Sequence, residues 1–212
     1  MAEKFKLYTV GHSNQTQEAF LHLLQEHDVD CIADVRSVPA SKYAPQFNQD
    51  SLLWFLQRNG IHYLHLGEEL GARRYDCFND EGQVDFERAA KTTAFLHGVE
   101  LLMKELKRGA RISLMCSEAN PLLCHRFSLI ARYFHEHGID VRHILKDASL
   151  TPHAELETEM IAKYKKSRKH HLPDVDLLFR NYTEEDQRRD AYRLKNKEIG
   201  FRPEHQKESA NA

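Results

Sequence analysis

Short β-prone runs alternate with longer helical runs over the first 150 residues, and this alternation restricts the fold more than any other feature. Leu7, Tyr8, Thr9 and Val10 make an apolar, aromatic and β-branched run that stops at Gly11. Comparable runs occupy 31–35, 61–66, 111–116 and 141–145. Between them the apolar residues recur at helical spacing. Phe20, Leu21, Leu23 and Leu24 follow Thr16, whose hydroxyl can cap a helix, and Leu52, Leu53, Phe55 and Leu56 follow Asp50, read as a second cap. Phe86, Ala89, Phe95, Val99, Leu102 and Met103 mark one long helix over 85–107, and 122–137 gives another, ended by Gly138. Parallel strands need crossovers of a dozen or more residues, which these helical segments supply. The prediction is a three-layer α/β/α domain with a mainly parallel sheet of about five strands and right-handed crossovers.

From about Thr151 apolar residues become sparse. The spacing there predicts a helix over 154–166, a basic run from Lys163 to His171, and a strongly polar end. The chain therefore divides into an α/β domain over 1–150 and a charged, partly helical extension over 151–212, with disorder expected in the last ten or so residues. Thirty Lys and Arg against 32 Asp and Glu give a net charge of -2, which argues against a generally basic nucleic-acid binder. Four Cys make no disulfide framework. No apolar run reaches the roughly 18 residues needed to span a bilayer, and the N-terminus carries no signal-like stretch. The expected location is the cytoplasm.

Open parallel sheets place their sites outside the carboxyl ends of the strands. After the first strand stand His12, Ser13 and Asn14; after the second, Asp34, Arg36 and Ser37; after the third, Arg73 and Arg74 in a long loop over 67–83. After the fourth stand Cys116, Ser117 and Glu118, followed by Cys124, His125 and Arg126 at the start of the next helix. All of these should gather on one rim.

Several of these segments together resemble a known family. Val10-Gly11-His12-Ser13-Asn14, Asp34-Val35-Arg36-Ser37-Val38-Pro39, Leu70-Gly71 and Cys116-Ser117-Glu118 with Cys124-His125-Arg126 resemble the domain-of-unknown-function family numbered 488, over about residues 5–150. The resemblance implies an α/β fold and directs attention to these motif residues; it carries no activity. Family members often have a second Gly after Leu-Gly, where this chain has Ala72, which implies a small change in loop shape.

Three chemistries fit the rim. In the first, Cys116 is a nucleophile favoured by a helix N-terminus and a nearby cation, with Glu118 and His12 moving protons. The Cys-x5-Arg phosphatase signature is excluded, because nine residues separate Cys116 from Arg126. In the second, Arg36, Arg73, Arg74 and Arg126 hold an anionic substrate, a phosphate-bearing small molecule or a nucleic acid, while Ser13, Asn14, Asp34, Ser37, Cys124 and His125 line its site. In the third, Cys116, Glu118, Cys124 and His125 present the donor types that zinc takes, although Cys-x7-Cys is wider than the two to four residues of a zinc knuckle. Each residue also has a plainer use. Cys116 can be a buried small hydrophobe, His12 can pin its loop, and Arg36 can pair with Asp34 or Glu118. The expectation is an enzyme with a Cys-based site for an anion and no bound cofactor, zinc being the one metal the donors would suit. A non-catalytic nucleotide or nucleic-acid binder and a metal or redox protein are the alternatives.

Overall fold

The computed structural model describes residues 5–173 and 182–203. The expectation of disorder at the extreme C-terminus concerns residues outside that set. The element order is β1 (Lys6–Gly11), α1 (Gln17–Gln25), β2 (Cys31–Asp34), α2 (Gln49–Arg58), β3 (His62–His65), α3 (Gly67–Leu70), α4 (Phe86–Ala89), α5 (Thr93–Lys107), β4 (Ile112–Cys116), α6 (Arg132–Glu136), β5 (Asp140–Ile144), β6 (Leu150–Pro152), α7 (His153–Lys166) and α8 (Glu184–Ile199). A π-helical stretch, Arg126–Ala131, leads into α6.

The sheet order is β3-β2-β4-β1-β5-β6, with every pair parallel except β5 and β6. β4 is inserted between β2 and β1, with Gly11 opposite Cys116 and Asp34 opposite Met115. Three strand ends from distant parts of the chain therefore stand side by side. The pleat sends alternate residues to opposite faces. Leu7 joins a core with Phe95, Leu102 and Phe134, whereas Tyr8 and Val10 join one with Phe20, Leu24 and Leu52. Helices thus cover both faces, and β2 and β4 are buried throughout. Among the described residues no helix is long and apolar enough to cross a membrane.

Several local expectations need correction. The single helix expected over 85–107 is two, because Thr92 caps a fresh start: its hydroxyl accepts the Phe95 N–H and donates to the Ala89 carbonyl. Asp85 caps α4 through the Glu87 and Arg88 amides. Asp50 lies inside the first turn of α2, and Asn48, at the cap position, turns its side chain to the Ser41 amide instead. Thr16 does cap α1, accepting the Ala19 N–H. The loop over 67–83 begins with the short helix α3. A sixth strand, β6, was not foreseen; three residues, one of them Pro152, leave too little alternation to read.

Helices α7 and α8 pack on the π stretch through Phe127, Met160, Tyr164, Ala191 and Tyr192. A buried polar chain joins them to the sheet. The Tyr192 hydroxyl donates to Glu157 at 2.9 Å, so the His153 Nε2–H must donate to Tyr192. His153 Nδ1 then accepts from His143 Nε2–H at 3.1 Å, and His143 Nδ1 accepts from the Thr9 hydroxyl at 2.8 Å. The direction of every bond follows from the one hydrogen that Tyr192 can give.

Two predictions follow from this packing. A Cβ built on Gly11 would meet the Glu118 carbonyl oxygen at 1.9 Å. Gly11→Ala should therefore destabilise the fold by about 1–3 kcal/mol in urea unfolding, as overpacking does. Burial holds His143 down to about 3 and His12 down to about 4, and holds His153 well below its ordinary value, so all three are neutral in the fold. Once unfolded they take up protons near 6.5, so the unfolded state binds more protons on the acid side. Urea midpoints should therefore fall continuously as the pH drops from about 6.5 towards the folded values, and His143→Gln should reduce that slope.

Candidate functional site

Cys116 is the last residue of β4, and the chain then turns back over the end of β1. The His12 amide donates to the Cys116 carbonyl at 3.0 Å and the Ser13 amide to the Ser117 carbonyl at 2.8 Å. Ser13 adopts φ 49° to make this turn. Asn120 accepts the Leu122 amide and starts a short 3-10 turn, Pro121–Leu123. That turn delivers Cys124 and His125 to the mouth of the sheet, immediately before the π stretch.

The Cys116 Sγ, Cys124 Sγ and His125 Nδ1 atoms all lie within 4.8 Å of one another. His125 Nδ1 is 3.8 Å from Cys116 Sγ and 3.7 Å from Cys124 Sγ. All three residues are buried. His125 Nε2 lies 3.1 Å from the Val35 carbonyl, which can only accept, so Nε2 carries a proton and, in the neutral ring, the Nδ1 lone pair faces the two sulfurs. Glu118, exposed at the edge, places Oε2 3.2 Å from Cys116 Sγ.

The two thiols differ in charge. The hydrogen bond to Cys124, followed by burial, pushes the Cys116 thiol well above its ordinary value. For Cys124 burial is the largest influence and acts upward. The Cys116 hydrogen bond, the Arg126 charge and His125 together overcome it and hold the thiol well below its ordinary value. For His125 burial again acts first and opposes protonation, but the Cys124 charge raises the imidazole. Without a metal, the two coupled thiols share a proton between them, and Arg126 and His125 favour a negative charge on the pair.

Of the four arginines, three make their hydrogen bonds inside the protein. Arg126, wholly buried, donates to the Glu118 and Ala119 carbonyls and to the Thr9 hydroxyl. Arg36 is buried in a fork on Asp34, with further bonds to the Phe47 carbonyl and to His12 Nε2. Arg74 is buried against the Glu69 carbonyl, Asp76 and Thr92. These three guanidinium groups hold the rim together. Only Arg73 among the four is exposed, its guanidinium 5.3 Å from the Phe201 ring centroid and its amide held by the Ser37 hydroxyl.

His12 stands next to the cluster, stacked on Phe47 at 4.4 Å. Its Nε2 accepts from Arg36 and its Nδ1–H donates to the Ser13 carbonyl, so both nitrogens are engaged. Asp34 accepts from Arg36 and from the Tyr63 hydroxyl at 2.7 Å. Asn14 is exposed and takes only a long 3.4 Å bond from Ser13. Sequence reasoning did not single out Tyr63, His65 or Val35. The alternation of β3 puts Tyr63 and His65 on one face, where Tyr63 holds Asp34 and His65 Nε2 meets the Arg36 carbonyl. The role of Val35 belongs to its carbonyl, which no side-chain pattern reveals.

The family described as domain of unknown function DUF488 matches residues 16–134. No curated protein and no solved structure matches the chain. The matched span covers α1 to the first residues of α6 and includes Asp34, Arg36, Cys116, Glu118 and the Cys124-His125-Arg126 turn, while the Gly11–Asn14 turn lies just before it. Since the match takes in more than half of the chain, the protein belongs to the DUF488 family.

Proposed function

We propose that this chain is a metal-dependent enzyme in which Cys116, Cys124 and His125 hold a zinc-type dication at the mouth of the parallel sheet. One observation carries the reading: three donors of the types zinc prefers converge with the His125 lone pair turned inward. A tetrahedral zinc with Zn–S near 2.3 Å and Zn–N near 2.0 Å has S···N edges of about 3.6 Å. The 3.7 and 3.8 Å separations here are close to that edge. The Nε2–H bond to Val35 is the outer support that fixes a ligating imidazole in its tautomer.

Three protein donors leave one position, which is the pattern of catalytic rather than closed structural zinc. A dication there polarises an oxygen of a bound substrate or lowers the pKa of a bound water, so the chemistry is metal-assisted hydrolysis or group transfer. The substrate class is a small anion. The metal itself and the exposed Arg73 supply the attracting charge, since Arg36, Arg74 and Arg126 are engaged inside the protein. A cavity of about 480 Å³ lined by Ser37, Glu68, Arg73, Arg74, Tyr75 and Asp76 lies at the loop after β3, and none of the three metal donors lines it.

The second reading is cysteine nucleophilic catalysis, favoured by the Cys124 thiolate beside the raised His125 imidazole. The two separate cleanly. Freshly purified protein should contain about one zinc per chain, Cys124→Ser and His125→Gln should lose it, and stripping the metal with a chelator should lower the thermal midpoint. Metal-free protein in which iodoacetamide rapidly alkylates Cys124 at neutral pH would establish the nucleophile reading instead.

A further inference from the structure

Glu118 differs from its three neighbours in a way that gives it a separate task. Cys116, Cys124 and His125 are buried, whereas Glu118 is exposed and approaches the cluster from the solvent side, with Oε2 3.2 Å from Cys116 Sγ. Its backbone, in contrast, is held from several directions. The flanking carbonyls of Cys116 and Ser117 accept from the His12 and Ser13 amides, and the Glu118 and Ala119 carbonyls accept from the buried Arg126. Gly11 lies against the Glu118 peptide so closely that a methyl group there would meet its oxygen at 1.9 Å. The side chain is an arm on a fixed pivot, with the Cys116 thiol as its hydrogen-bond partner among the described residues.

We infer that Glu118 is the displaceable fourth ligand of the metal centre: its carboxylate, which rests beside Cys116 and outside the three-donor group, swings in to close the coordination sphere and out to solvent when a monodentate anion takes its place. The inference rests on the metal-centre reading above and adds the means of entry. The exchange is a ligand substitution in which one carboxylate oxygen leaves as one anionic donor arrives; no covalent bond within the chain is made or broken. Zinc accepts carboxylate oxygen alongside sulfur and nitrogen, and a fourth position held by an exposed group is open to exchange. The fixed pivot also limits the arm. Removing one methylene withdraws the carboxylate by about 1.5 Å, and the clamped backbone cannot follow to restore the bond.

The test uses the full chain loaded with Co²⁺, whose visible ligand-field bands report the donor set, titrated with azide. In the native protein azide must displace Glu118. In Glu118→Ala it should bind on the order of tenfold more tightly, equivalent to about 1.4 kcal/mol, and the azide-free spectrum should already differ from the native one. Glu118→Asp keeps the charge but shortens the arm, so it should follow Glu118→Ala. If Glu118→Asp instead matches the native chain in spectrum and azide affinity, the carboxylate acts by charge alone and the inference fails. Equal azide affinity in all three proteins, with unchanged spectra, overturns it as well while leaving the metal centre intact. Failure of native protein and both variants to bind Co²⁺ would overturn the metal-centre reading itself.

Discussion

The site depends on one buried cation. Arg126 is wholly buried, and among the described residues no carboxylate lies within ion-pair distance of it. Its guanidinium is satisfied by two loop carbonyls and a threonine hydroxyl, which meet its hydrogen-bonding needs without cancelling its charge. A buried charge without a counter-charge is costly. The nearest remedy is a thiolate, and the Arg126 field contributes to holding Cys124 in that form. The same guanidinium fixes the loop that carries Glu118. One residue thus bears on both the charge state of the sulfurs and the position of the group that reaches over them.

The topology brings these parts together without long-range reach. Inserting β4 between β2 and β1 places Gly11 opposite Cys116 and Asp34 opposite Met115, so the turns after three strands become neighbours. The π stretch that follows His125 carries Arg126 back under the same turns. Asp34, Arg36, Tyr63 and His12 then form a second polar layer whose members face one another, and this layer supports the mouth from below.

Much of this was legible in the chain itself. The alternation of strand-like and helical runs carried the α/β architecture, and the polar residues after each strand marked the mouth of the sheet. Cys116, Glu118, Cys124 and His125 stood out as metal-type donors, even though a knuckle-like spacing was missing. That spacing misleads because the two sulfurs meet across a turn and not within one tight loop. The pairing of Arg36 with Asp34 was legible, but the carbonyl partners of Arg74 and Arg126 were not, because which loop folds over a guanidinium leaves no mark in the side-chain pattern. The same limit hid the Val35 carbonyl. The break between α4 and α5 turned on one hydroxyl, Thr92, inside an otherwise continuous helical pattern.

The hydrogen-bond chain from Thr9 to Glu157 bears on the order in which the protein is made. Thr9 lies in β1 and Tyr192 in α8, yet each is needed to seal the two imidazoles between them. On the ribosome the strands and their crossovers emerge well before Tyr192 does. Until it arrives, His153 has an open nitrogen and the α7 side of the sheet stays accessible to water. Completion of the mouth of the sheet and closure of this back face are therefore separate events in the life of a nascent chain, the second waiting on Tyr192.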